Sequence, residues 1–128
     1  MDFLSSRNNE KIKSAVAVRD SSKVRRESGT FFLEGARLCS DAADNSVEII
    51  RAFLSRTALK KYGERCERII AASKEAYEIS DDVAARLSDT ENSQGVFCIC
   101  RAKKSESVIC LKPDGRYLLL ENVQDPSN

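Results

Sequence analysis

Strand-like and helix-like stretches alternate along this chain, and that alternation restricts its fold more than any other feature. Four short apolar runs read as strands by their aromatic and branched content: TFFLEG at 30–35, EIIRAFLS at 48–55, AYEIS at 76–80 and VFCICR at 96–101. Helical spacing fills the intervals. Asn9 is placed to cap a helix carrying Ile12, Ala15, Val16 and Arg19 at i, i+3, i+4 and i+7. Gly35 opens a second helix, with Leu38, Cys39, Ala42 and Ala43 on one face. Thr57 can cap a long third helix whose stripe is Leu59, Tyr62, Cys66, Ile69 and Ile70, interrupted by Gly63. Ser80 caps a short fourth helix; Asp81 and Asp82 suit the positive end of its dipole, and Val83, Ala84 and Leu87 face inward. Strand and helix in turn predict a three-layer α/β/α sandwich with a mainly parallel sheet, covered on both faces and joined by right-handed crossovers. The unbroken apolar run VFCICR fits a strand buried on both sides.

The chain of 128 residues is long enough for one compact domain, and 41% hydrophobic with 32% charged residues is a globular balance. No apolar run approaches the roughly 20 residues that cross a bilayer. The start, MDFLSSRNNEK, lacks the basic-then-apolar order of a secretory leader, so the sequence reads as cytoplasmic. The net charge is +1, which leaves any nucleic-acid role to local clustering. There is no histidine, which removes Ser-His and Cys-His nucleophile systems and most catalytic zinc sites. The five cysteines (Cys39, Cys66, Cys98, Cys100 and Cys110) fit no zinc spacing and read as buried reduced thiols.

After Arg101 the character changes. AKKSES is charged and small, VICL is a short apolar piece, KPDG reads as a turn and RYLLLEN as one more strand. This divides the chain into a domain at 1–101, a linker at 102–107 and a segment at 108–128 too short to bury a core.

Three clusters carry candidate chemistry. Arg19, Lys23, Arg25 and Arg26 crowd the polar stretch before the first predicted strand. Guanidinium groups there can hold phosphates through paired N–H donors, while a solvated basic surface explains the same run. Glu34 and Gly35 sit at the carboxyl end of that strand, where open α/β sheets bind ligands and where Gly35 allows close backbone approach to free helix N–H groups. Glu34 would repel phosphate, so its expected part is to orient an arginine or to accept from a base or a 2′-hydroxyl. A structural strand-to-helix turn is the alternative. The loop SDTENSQG supplies the amides of Asn92 and Gln94 and a flexible Gly95, which suit the edges of unpaired bases; turn chemistry accounts for them too. Phe31, Phe32, Phe53 and Phe97 read as core, and Tyr62 and Tyr77 are uncommitted.

Three stretches, KVRRESGTFFLEGARL, LSDTENSQGVFCI and YLLLENVQDPSN, resemble in order and spacing the N-terminal half of SpoU/TrmH-class RNA 2′-O-ribose methyltransferases of the SPOUT superfamily. The family pattern places basic residues before Phe and Glu-Gly, a Thr-Glu-Asn-Pro-Gln-Gly-like loop before a buried strand, and a strand ending in Asn with Asp-Pro-x-Asn behind it. Ser93 departs from it, standing where proline is usual, which implies a less restricted loop.

The resemblance implies that residues 1–101 are an RNA substrate-binding domain similar to kink-turn-binding ribosomal proteins. Its RNA contacts would come from Arg19, Lys23, Arg25, Arg26, Glu34, Gly35, Asn92, Gln94 and Gly95. Residues 108–128 would begin a knotted catalytic domain that binds S-adenosylmethionine and dimerises. Asn128 matches the first catalytic motif. It would help place a following arginine that assists attack of the ribose hydroxyl on the sulfonium methyl. The motif is incomplete at Asn128, so the resemblance implies a chain that binds RNA, ribosomal rather than transfer, as a monomer without cofactor, metal or membrane, and without methyl transfer of its own. A stand-alone kink-turn-type RNA-binding protein and a protein-interaction domain without RNA are the competing readings.

Overall fold

The structure is a computed structural model and describes residues 1–103 and 111–121. A short strand, β1 (Asp2–Leu4), leads to α1 (Glu10–Asp20), where the Asn9 side chain accepts from the Lys11 N–H as its position predicts. The polar stretch that follows is itself helical, α2 (Ser22–Ser28), capped by Ser21 and stopped by Gly29 in the left-handed region at φ 61°. Next come β2 (Thr30–Glu34), α3 (Ala36–Asp44) and β3 (Ile49–Ser55). The long third helix is two: α4 (Arg56–Lys61) and α5 (Gly63–Ala72), broken at Tyr62 and capped by Ser55 rather than Thr57. β4 (Ser73–Ile79), α6 (Asp81–Leu87) and β5 (Val96–Arg101) complete the domain, with Ser80 capping α6.

The sheet order is β1-β4-β3-β5-β2. β1, β4 and β3 pair in parallel, and β5 runs antiparallel to both β3 and β2, so four strands point one way and β5 alone opposes them. The mainly parallel α/β/α reading holds, with one reversed strand between the central β3 and the edge strand β2. Alternation along β5 divides the core. Phe97 and Ile99 join α1 and α6 on one face, whereas Val96, Cys98 and Cys100 join α3, α4 and α5 on the other. A register shift between Ile49 and Arg51 puts Ile49 and Ala52 on the same face. Phe53 and Phe97 are fully buried, and burying side chains of this size stabilises by roughly 1.5–3 kcal/mol each.

Three expectations need correction. Leu38 is 51% exposed; Ala36, Cys39, Ser40 and Ala42 form the inner face of α3, and Leu38 is rotated away from its middle. Phe31 and Phe32 are only half-buried, because β2 is an edge strand. Residues 117–121 form no strand. Leu118, Leu119 and Leu120 are exposed and have no ladder partner among the described residues, without which a strand is not stable. The KPDG turn is present, with the Gly115 N–H on the Lys112 carbonyl at 3.0 Å. Asn122, Asn128 and Cys110 lie outside the described residues. Among the described residues, no helix is long and apolar enough to cross a membrane and no side-chain cluster could hold a metal ion.

Candidate nucleic-acid interface

β2 carries the candidate residues at its two ends. At its carboxyl end Glu34 organises the loop before β5. Its carboxylate accepts from the Ser88 hydroxyl at 2.8 Å, the Asp89 N–H at 2.9 Å and the Thr90 hydroxyl at 2.9 Å. Burial works against ionisation of Glu34. The donors of Asp89, Ser88, Thr90 and Ser93 outweigh it and hold the carboxyl below its ordinary value. Both oxygens are thus taken by the protein's own loop, and no arginine is oriented by a bond to them.

The α3 N-terminus is closed in the same way. The Ala36 N–H, expected to be free, donates to the Gln94 side-chain oxygen at 2.7 Å. Gly35 has φ 108° and Gly95 φ 68°, backbone that side chains rarely adopt. Gly95 is buried and pinned rather than flexible: its N–H donates to the Ser93 hydroxyl, and its carbonyl receives the Ser55 N–H at 2.8 Å. The serine in the usual proline position therefore makes a turn of its own. An open cleft of about 810 Å³ remains here, lined by Glu34, Arg37, Asp41, Glu91 and Asn92 among others, with three carboxylates facing one guanidinium.

The four basic residues separate into two kinds. Arg19 donates to the Arg86 and Ser88 carbonyls at 2.9 and 3.1 Å and is chelated by Asp20, whose hydrogen bonds raise its already high pKa. Arg25 donates to the Val18 and Arg19 carbonyls at 2.9 and 2.7 Å. Both stabilise helix C-termini, where free carbonyls and the negative end of the dipole favour a cation. Lys23 and Arg26 extend into solvent; Lys23 lies 3.9 Å from Glu27, and Arg26 has no ion pair among the described residues.

Pairing of β2 with β5 adds two cations that sequence reasoning passed over. Thr30 opposes Arg101, and the Ala102 N–H donates to the Gly29 carbonyl at 2.9 Å, which carries Arg101 and Lys103 beside Arg25 and Arg26. They line a recess of about 620 Å³ together with Phe31 and one carboxylate, Glu27. The signal was the basic run RAKK, of which Arg101 was read as the end of a strand and the residues after it as a linker.

The fold is an α/β/α sandwich whose edge strand β2 carries cations beside its first residue and a capped glycine turn at its other end. Residues 9–98 match the MRM3-like substrate binding domain, and the chain belongs to that family. No curated protein matches the chain. Among solved structures it is similar to an rRNA methyltransferase from Sinorhizobium meliloti, with TM-score 0.67 and 22% identity over 81% of this chain and 38% of that one. It is similar to an RNA 2′-O ribose methyltransferase, with TM-score 0.69 and 23% identity over 89% of this chain and 43% of that one. The SpoU methyltransferase AviRb from Streptomyces viridochromogenes, solved with AdoMet, gives TM-score 0.61 and 16% identity over 77% and 35%. At such identities the likeness shows the fold. The SpoU/TrmH resemblance agrees with these neighbours and with the family match, and the chain spans well under half the length of each.

Proposed function

We propose that this chain is the RNA-recognition part of an S-adenosylmethionine-dependent RNA 2′-O-ribose methyltransferase acting on ribosomal RNA. Residues 1–101 would grip the RNA, 102–107 would connect, and 108–128 would belong to the catalytic domain. The observation that carries the reading is the match to a substrate-binding family over a domain whose exposed cations, Arg26, Arg101 and Lys103, gather on one edge. Of the residues read from sequence, Lys23, Arg26 and Asn92 would touch RNA directly, and Arg19, Arg25, Glu34, Gly35, Gln94 and Gly95 would serve by holding the surface in shape.

S-adenosylmethionine would be held by the catalytic part of the parent enzyme, and residues 1–101 would contribute no ligand to it. The parent enzyme would be a homodimer, and the 128-residue chain monomeric and inactive alone.

The test is binding of the chain to a structured ribosomal RNA fragment, followed by fluorescence anisotropy from about 50 to 200 mM salt. Affinity is expected to fall steeply, and Arg26→Ala to reduce the salt slope by about 1. A flat salt response would overturn phosphate contact. Methyl transfer to RNA by the chain alone would overturn its proposed inactivity.

A further inference from the structure

We infer that the Phe31 recess is a subsite for one unpaired nucleotide, its base lying on the phenyl ring and its flanking phosphates on Arg26, Arg101 and Lys103; this presupposes the RNA reading above and narrows its substrate to RNA with an unpaired base at this position.

Phe31 lines three recesses, of about 620, 440 and 400 Å³. Its backbone is fixed in the ladder opposite Cys100, so the half-buried ring has a defined position at the sheet's open edge. The two recesses that share Phe31, Arg101, Ala102 and Lys103 place an apolar surface directly between cations. Val47 extends that surface on one side. Arg101 is only loosely held, with Glu48 at 3.8 Å and the Ser28 carbonyl at 3.5 Å, so its guanidinium can turn towards a phosphate. Arg26 makes no ion pair among the described residues, and the carboxylate beside it, Glu27, lies 3.9 Å from Lys23. A flat hydrophobic ring flanked by Arg26, Arg101 and Lys103, which outnumber the carboxylates Glu27 and Glu48 of the same two recesses, matches a nucleotide's flat base and anionic backbone. A paired base is inside its stack and cannot reach the ring. The cleft at the other end of β2, rimmed by Glu34, Asp41 and Glu91, has the wrong sign for phosphate.

The experiment compares two RNAs of equal length, a hairpin with an unpaired loop and a fully paired duplex, binding to the 128-residue chain. Phe31→Leu keeps an apolar side chain in the strand. It is expected to weaken hairpin binding about fivefold or more while leaving duplex binding unchanged. Phe31→Tyr retains the ring and is expected to bind as the parent does, which separates stacking from folding. A 2-aminopurine in the loop is expected to change emission on binding to the parent and to Phe31→Tyr, but not to Phe31→Leu. Arg101→Ala with Lys103→Ala should weaken both RNAs. If Phe31→Leu binds the hairpin like the parent while Arg26→Ala weakens it, the stacking subsite is wrong and RNA binding stands. If neither RNA binds at low salt, both readings fail. If polyglutamate competes as well as the hairpin, the cations serve an acidic protein partner and the subsite is overturned.

Discussion

Gly95→Ala tests whether the loop before β5 is held as rigidly as its geometry implies. Gly95 is buried with φ 68°, and a Cβ there would collide with the Ser55 hydroxyl and approach the Ser55 Cβ to 3.0 Å. The left-handed conformation alone costs an L-residue about 1–2 kcal/mol. Ser55 Oγ accepts the Ala58 N–H at 3.1 Å as the α4 cap, and displacing such a cap costs roughly 0.5–2 kcal/mol. Loss of glycine's freedom in the unfolded chain offsets about 0.4–1 kcal/mol. The expected net loss is about 1–3 kcal/mol, a fall in midpoint on the order of 5–20 °C for a domain of this size.

Thermal and urea unfolding of Gly95→Ala, Ser55→Ala and the double variant form the assay. Ser55→Ala removes both the cap and the atom in the way. The double variant should therefore lose less than the two single losses together, by about 0.5–2 kcal/mol, as expected for residues in contact. A Gly95→Ala protein within about 0.5 kcal/mol of the parent, or strictly additive losses, would refute the close packing of the loop on α4.

Three further outcomes follow from the same structure. Glu75 is held down to about 2, first by its hydrogen bond from Arg51 and then by those from Tyr77 and Lys11. Its folded value lies below the unfolded one, so its stabilisation is complete above about pH 4.5 and disappears as pH falls towards 2; Glu75→Gln should flatten the stability profile there and nowhere else. Cys39, Cys66, Cys98 and Cys100 are free and buried; hydrogen bonding of the Cys98 thiol to Cys39 together with burial pushes Cys98 up, and burial pushes Cys100 up to about 12. These four should resist iodoacetamide in the native protein and react in denaturant, read by peptide mass spectrometry, and rapid native labelling would contradict the packing around β5. Glu34→Gln removes the charge that three donors share, so the Asp89 amide should exchange faster and stability should fall by about 1–2 kcal/mol; unchanged exchange would separate Glu34 from the loop's order.

The core was legible because its signals are local and periodic. Ile12, Ala15 and Val16 mark α1, Val83, Ala84 and Leu87 mark α6, and the run VFCICR marks a strand buried on both faces. α2 was not legible because none of its residues is buried, so no apolar stripe betrays it. β1 has three residues on a sheet edge, with Phe3 55% exposed, and offers too short a pattern. Ser55 and Thr57 are equal as caps on paper; only the end of β3 decides between them. At the site, position along the chain identified basic residues but not where their charges point. Arg19 and Arg25 turn inward to helix carbonyls, which no spacing rule announces, and Arg101 joins Arg26 only through the antiparallel pairing of β2 with β5.

The reversal of β5 has a consequence for recognition. Had β5 run parallel to β2, Arg101 would lie at the carboxyl end of β2, beside Glu34 and the cleft with three carboxylates. Antiparallel pairing instead sets Arg101 against Thr30 and Phe97 against Glu34, so cations outnumber carboxylates at one end of the edge strand, where Glu27 and Glu48 also lie, and carboxylates outnumber the single Arg37 at the other. A polyanion meeting such an edge is attracted at one end and repelled at the other, which fixes its direction as well as its affinity. On the RNA reading, charge therefore orients the strand along β2, while the loop fastened by Glu34 and Gln94 presents amides and hydroxyls where a phosphate is unwelcome. A charge-reversed pair, Arg26→Glu with Arg101→Glu, should accordingly abolish binding rather than shift it to the loop end, because that end already carries three carboxylates.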